Sequence, residues 1–554
     1  MKRILFVVVV GCFLFSSCGD FLEEYSKDLV YASSCEDLDE IIIGNGYMKR
    51  NANQEYAYYR ENELYYPYLH VMDDDVEEFL SGAVKMLTNA NPAVRYRNFY
   101  TWGERPFSDM TGVELVDSDW KRLYEHIGYV NVIISYVKEF ESDPEEIRHR
   151  IAGEAQFLRG WYYYMLVNLY AKPYSKETAA KDLGVPLNVT EFIEDKYFSR
   201  DPVEKVYEQI VSDLKNAADN LAGIVQPTFY RVNEAAARTL LSRVYLYMGE
   251  WQLAIDECDK VLALGCKLRD MNGLDEKWLN TVNSPEILFT QGSYAIGGLM
   301  NNNLSRYGVT GGGRYRVSDE LLALYKKYKN DGVVDLRESV FLEPSSSYCP
   351  GYFFIRKTPD YSNNRKGSVK VYDACLIRSA EVYLNKAEAQ AMLDQPDAIS
   401  TVKVLMEKRY KDGVLPAIDG LKGKELVDFI REERRRELTC EGHRWFDLRR
   451  YAVSPKYPEL KEIMHGVYQS AMASLKPGVY DGSYTLKPYG QDNAWVLPIP
   501  DYEIIFDRGA MVDNDKREPH PGRRRKRHHR QAAGRRHGQS MEKIAKIEQN
   551  PGTS

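Results

Sequence analysis

Beyond its first 17 residues the sequence has no apolar run near the roughly 20 residues that cross a bilayer, which excludes a polytopic helical membrane protein. Cysteine is sparse, eight in 554 residues, so no disulfide scaffold is built. No CxxC pair and no His/Cys spacing of a zinc site occurs. The 38 glycines lack a three-residue period, which removes the collagen class. There is no HExxH, no GxSxG and no Walker A loop. Gly311-Gly312-Gly313-Arg314 does not fit a dinucleotide fingerprint and reads as a turn. Phenylalanine is scarce beside tyrosine, 19 against 42. Tyrosine combines an apolar face with a polar tip, which suits wet binding surfaces as well as helix packing.

What is present is a globular composition, 44% hydrophobic and 28% charged, in a chain long enough to bury a large core. The net charge is −7, unevenly placed. Residues 515–554 carry 12 Lys+Arg and 4 Asp+Glu, so the body is acidic and nucleic acid is not an expected partner. The block Arg523–Arg530 marks 515–554 as a basic tail, read as disordered, with anionic headgroups or lipopolysaccharide phosphates as conceivable contacts.

Lys2 and Arg3, the apolar stretch Ile4–Phe15 and the small residues Ser16-Ser17 form a signal peptide over residues 1–17. Cys18 after two small residues resembles the lipobox of bacterial lipoproteins, in which that cysteine is lipidated. Val9-Val10-Gly11-Cys12 is the competing box, with a shorter apolar core. A lipid would anchor the protein on a membrane surface.

Helical periodicity dominates from Asp119. Trp120, Leu123, Ile127, Val130 and Ile134 share one face. Pro144 opens a helix that stops before Pro173, and Asp201-Pro202 opens another to about Leu221. Asn233 to Gly249 and Trp251 to Gly265 form a helical hairpin resembling a tetratricopeptide unit, and Arg378 to about Lys408 forms a second. The fold class is therefore mainly α, with hairpins as scaffold. Residues 291–316 and 343–370 read as long loops rich in Gly, Asn and Tyr.

Two charged motifs compete for a chemical reading. Asp73-Asp74-Asp75 with Glu77-Glu78 offers ligands for a hard cation or an acid/base pair, but such a run usually reads as a solvated face. In Ile430–Arg450, Glu432, Glu433, Glu437 and Glu441 interleave with arginines at helical spacing, so most charges are expected to pair internally. His443 reads as a packing residue.

That motif resembles the C-terminal signature of the SusD/RagB family of Bacteroidetes cell-surface lipoproteins. Glu154–Tyr163, Arg231–Trp251, Arg378–Leu384 and the LPIP segment Trp495–Ile504 agree in order. The resemblance covers residues 18–514, with an N-terminal part to about 320 and a C-terminal part from 321. It implies a SusD-like fold and no catalytic role, cofactor or metal. The implied function is capture of an oligo- or polysaccharide for a SusC-type TonB-dependent outer-membrane transporter. A peptide ligand, as in RagB-like subunits, and a protein–protein adaptor are the alternatives. A hydrolase using the 73–78 carboxylates is a third. By order in the chain, two segments resemble the family's ligand-facing loops. One carries Asp74, Asp75, Arg97, Tyr100 and Trp102, and the other Tyr294, Asn302, Tyr307, Arg314 and Tyr315. Trp102, among polar neighbours, is expected to be exposed and to be the strongest single ligand contact.

Overall fold

The computed structural model describes residues 32–49, 64–78, 95–109, 111–192, 194, 196–274, 278–292, 315–344, 351–357, 371, 373–469 and 479–518, with backbone alone at 469 and 479. Ten helices carry the framework: α1 (Cys35–Ile41), α2 (Ser118–Tyr136), α3 (Glu145–Tyr170), α4 (Val203–Asn220), α5 (Glu234–Met248), α6 (Trp251–Ala263), α7 (Ser379–Met392), α8 (Asp397–Met406), α9 (Gly423–Leu438) and α10 (Arg444–Ala452). No helix among the described residues is long and apolar enough to cross a membrane.

The punctuation in the sequence sets the helix ends. The Asp117 carboxylate accepts from the Asp119 N–H and caps α2, and the Asn233 side chain accepts from the Ala236 N–H and caps α5. Neighbours pack in chain order from α2 through α7, so each amphipathic face is covered by the next helix. Helix α3 is buried almost all round from Ile151 onward, which explains why its apolar stripe is broad.

Close packing of α3 on α4 depends on Gly153. A Cβ there would sit 2.6 Å from Leu221 Cγ and 3.1 Å from Asn220 Cβ. Gly153→Ala is therefore expected to destabilise by about 1–3 kcal/mol despite the better helix propensity of alanine. Gly128 in α2 is exposed with nothing near its missing Cβ. Gly128→Ala is expected to stabilise by up to about 1 kcal/mol. Urea midpoints of the two variants should move in opposite directions.

Among the described residues, eight short strands, absent from the sequence reading, pair as four antiparallel two-stranded sheets. They are β1 (Val76–Glu78) with β3 (Tyr315–Val317), β2 (Ile287–Gln291) with β6 (Cys375–Arg378), β4 (Leu342–Pro344) with β5 (Phe353–Ile355), and β7 (Ile463–Gln469) with β8 (Val479–Leu486). The five described cysteines are free thiols, four of them buried.

The arginine-rich motif forms α9 and α10, and both are interior. Arg434 and Arg436 are fully buried, with Glu433 and Glu437. The expected internal pairing holds for part of it: Arg436 pairs with Glu432 and Glu433, and Arg434 and Arg450 with Asp447, while Arg435, Arg444, Glu437 and Glu441 reach other segments. From Phe429 onward α9 is largely buried, so its remaining charges meet partners from the surrounding chain. His443 lies 3.3 Å by Nδ1 from the Arg434 guanidinium and is buried, in line with a packing role.

Candidate functional site

The sheet β1–β3 joins the two segments nominated by the sequence. Glu78 stands opposite Tyr315 and Glu77 opposite Arg316. The rings of Tyr100 and Tyr315 lie 5.3 Å apart. The segments thus meet, but among the described residues most nominated side chains form a floor rather than a surface. Tyr100 and Tyr315 are fully buried. The Tyr100 hydroxyl accepts from the Glu78 N–H at 2.8 Å and donates to the Gly466 carbonyl at 2.9 Å.

Trp102 corrects the expectation of an exposed ring: it is 3% exposed. Its indole N–H donates to the Met72 carbonyl at 2.9 Å and its ring stacks on His465 at 4.2 Å. Its backbone adopts φ +50°, a left-handed conformation that turns the ring inward and is held there by those contacts.

Asp74 and Asp75 correct both earlier readings of the acidic run. They are neither a solvated face nor an open site. Asp74 accepts a bidentate pair from Arg444 at 2.7 and 2.8 Å, and Arg435 and Lys461 also reach it. Asp75 accepts from Arg435 and from the Thr439 hydroxyl, both at 2.8 Å. Burial pulls Asp74 upward, but Arg435 and Arg444 outweigh it and hold the carboxyl well below the usual range. The carboxylates of Asp73, Asp74 and Asp75 cluster closely enough to share a cation, but for Asp74 and Asp75 the positive charge comes from arginine. Tyr294, Asn302, Tyr307, Arg314 and Cys18 lie outside the described residues.

Over this floor runs a row of side chains that the sequence did not nominate as ligand contacts, its Glu77 being read there only with the acidic run, as a cation ligand or acid/base group. The Arg316 guanidinium lies 4.7 Å over the ring of Tyr352 and pairs with Glu77. Glu77 accepts from the Tyr468 hydroxyl at 2.8 Å. Tyr468 meets Tyr480 across the β7–β8 ladder, edge to face at 5.8 Å. Tyr480 is 58% exposed and Tyr352 and Tyr468 are half-buried. A Cβ at Gly466 would stand 3.0 Å from the Glu77 carboxylate and 3.3 Å from the Tyr468 ring, so glycine there lets the two approach. The signal available in the sequence was the tyrosine content.

Arg97 completes the edge of this row. It donates to Glu78 at 2.8 Å. Burial raises the Glu78 carboxyl to about 7, although Arg97 opposes the shift. The folded state therefore holds this proton above the range in which the unfolded chain releases it. The corresponding stability is complete below about pH 4.5 and lost as pH rises through about 7. Compared with Glu78→Gln, the wild type is expected to lose about 3 kcal/mol across that window, seen as converging or crossing urea curves at successive pH values.

A second feature borders Trp102. A cleft with about 410 Å³ of free space opens between the Phe99–Pro106 turn and the LPIP segment, floored by Met72, Trp102 and Leu497. Arg517 spans its edge, donating to the Thr101, Trp102 and Thr485 carbonyls and to Asp492. The first residues of the basic tail as read from 515 thus fasten to the body.

The comparisons with known proteins agree along the chain. Residues 25–246 match a family model described as starch-binding, associating with the outer membrane, and residues 272–515 match that of the SusD family. SusD-like protein P2 of Formosa agariphila is 26% identical over 444 residues, 72% of this chain and 80% of that protein. SusD-like protein P25 of the same organism is 22% identical over 497 residues, 80% and 88% of the two chains. A SusD superfamily structure from Bacteroides thetaiotaomicron superposes with a TM-score of 0.65 at 22% identity, covering 87% of this chain and all of that one. A SusD-like carbohydrate binding protein from Bacteroides vulgatus gives 0.59 at 20% identity, over 86% and 97%.

Proposed function

The chain belongs to the SusD/RagB family, and from that premise we propose that it is a surface lipoprotein that captures glycan and hands it to a SusC-type TonB-dependent transporter. The observation that carries the reading is the row Tyr352–Arg316–Glu77–Tyr468–Tyr480, whose Glu77 and Arg316 come from the two segments that resemble ligand-facing loops. Aromatic rings offer flat apolar faces to sugar C–H surfaces. Arg316, Glu77 and Arg97 offer donors and acceptors for hydroxyls. Ligand contacts from the nominated residues Asp74, Asp75, Tyr100, Trp102 and Tyr315 would be indirect, through the floor they make. Arg97 and the segment holding Tyr294, Asn302, Tyr307 and Arg314 are proposed to meet the ligand itself.

The protein is assigned no catalytic step. A hydrolase built on the 73–78 run needs two free carboxylates across a gap, whereas Asp74 and Asp75 are clamped by arginine. Lipidation at Cys18 would hold the protein at the outer membrane. Labelled fatty acid should be incorporated by the wild type and not by Cys18→Ala.

The direct test is calorimetry and affinity electrophoresis of the chain starting after Cys18 against panels of polysaccharides and peptides. Saturable binding to a glycan, weakened about tenfold in Tyr480→Ala, is expected. Binding to peptides alone would replace the glycan reading with the peptide one.

A further inference from the structure

His465 lies on β7 directly beneath the tyrosine row. Its ring is near-parallel to Tyr100 at 4.1 Å and to Trp102 at 4.2 Å. Two rings at that spacing do not fit on one side of an imidazole, so it is sandwiched between them. The two nitrogens are also both engaged. Nδ1 lies 2.7 Å from the Tyr100 carbonyl oxygen and Nε2 2.8 Å from the Asp73 carbonyl oxygen. A carbonyl oxygen only accepts. A neutral imidazole has a single N–H, so one of its nitrogens would press a lone pair against a carbonyl lone pair. An imidazolium donates to both.

We propose that His465 is held as an imidazolium, a charged clamp that fastens the Asp73–Trp102 segment to β7 and so fixes the floor of the tyrosine row.

The surroundings bear on the charge. Cations favour the faces of Trp and Tyr, and here one ring of each covers the imidazole. Asp74, Asp75 and Glu320 are met by Arg435, Arg444 and Lys461, while Asp73 makes no ion pair among the described residues. Burial, with Asp75 and Asp74 beside it, pushes the Asp73 carboxyl well above its usual range, and Arg444 opposes the shift.

Burial opposes the charge and pulls the ring downward, against the two carbonyls and Asp74. The neutral ring has no tautomer in which both nitrogens donate to their carbonyls, whereas the imidazolium does so at both. The charged and titratable groups around the ring are Asp73, Asp74 and Asp75 of the preceding turn, Glu77 and Glu78 of β1, and Tyr100 and Arg97 of the short helix Arg97–Tyr100. Arg435, Arg444 and Lys461 all pair with Asp74, Cys440 feels Asp75 and Asp73, and Tyr468 follows on β7. The side-chain charge that acts on the ring is that of Asp74.

A histidine whose folded pKa lies above about 6.5 stabilises the fold below that value, and the contribution is lost as pH rises through the folded pKa. The clamp therefore loosens on the alkaline side. That loosening would matter to capture only if the tyrosine row is the ligand surface, as proposed above; the charge itself is independent of it.

The test is a pH titration of the full protein labelled at histidine Cε1 and followed by NMR, with no ligand present. The His465 signal is assigned by its loss in His465→Gln. Should that variant not fold, Trp102→Phe assigns it through the altered ring current. The expected result is an imidazolium shift at about pH 7 and a midpoint about one unit or more above 6.5. A neutral-imidazole shift throughout about pH 5 to 8 overturns the proposal, whatever the glycan panel shows.

Discussion

Glu437→Gln is expected to lower the unfolding free energy by about 3–5 kcal/mol, the cost of removing one partner from a buried ion network. The carboxylate is fully buried. It accepts from Arg378 at 2.6 Å and from Arg409 at 2.9 and 3.0 Å, with Arg337 at 3.4 Å. Those guanidinia hold it well below the usual carboxylate range despite its burial. Glutamine keeps the shape and loses the charge, so three buried guanidinia lose their shared anion. Arg337 retains Asp335 and Glu433, and Arg378 retains Glu286 and Glu441, so the network weakens without being abolished. Asp428→Asn, on the exposed partner of Lys424, provides the scale. It should cost less than about 0.5 kcal/mol. Equal effects of the two substitutions in urea unfolding would contradict the view that the arginine-rich signature is an interior framework.

The helical scaffold was legible because its signals are local. A cap, a proline and a three-and-four spacing lie within one element, and the ends of α2 to α8 fall where those signals place them. The partners of the arginines were not legible. Arg435 finds Asp75 across 360 residues and Arg444 finds Asp74 across 370. Helical spacing alone made Glu437 and Glu441 look like partners within the motif, whereas they pair with Arg378, Arg409 and Lys357. The strands were missed because most are three to five residues long and owe their form to pairing with a distant segment. For the site, the order of the chain named two segments, and the structure places Glu78 and Tyr100 beside Tyr315. That order said nothing of which side chains face outward. Trp102 illustrates why: its polar sequence neighbours suggested solvent, while a left-handed φ turned the ring inward.

That inversion changes what a Trp102 substitution measures. Trp102→Ala is expected to cost about 3–5 kcal/mol of stability, as for other large aromatic truncations in cores. It removes the stack on His465 and the bond to the Met72 carbonyl, and leaves alanine in a left-handed conformation it tolerates poorly. Lost ligand capture in that variant would therefore follow from a disordered floor and would not by itself locate a contact. Tyr480→Ala is the sharper probe. Its ring is mostly exposed and meets Tyr468 edge-on, so stability should change by less than about 1 kcal/mol while affinity falls about tenfold. Reading both variants by urea unfolding and by calorimetry separates floor from surface. If Trp102→Ala keeps full stability and loses binding, the ring reaches the ligand in a conformation other than this one, and the row from Tyr352 to Tyr480 is not where capture begins.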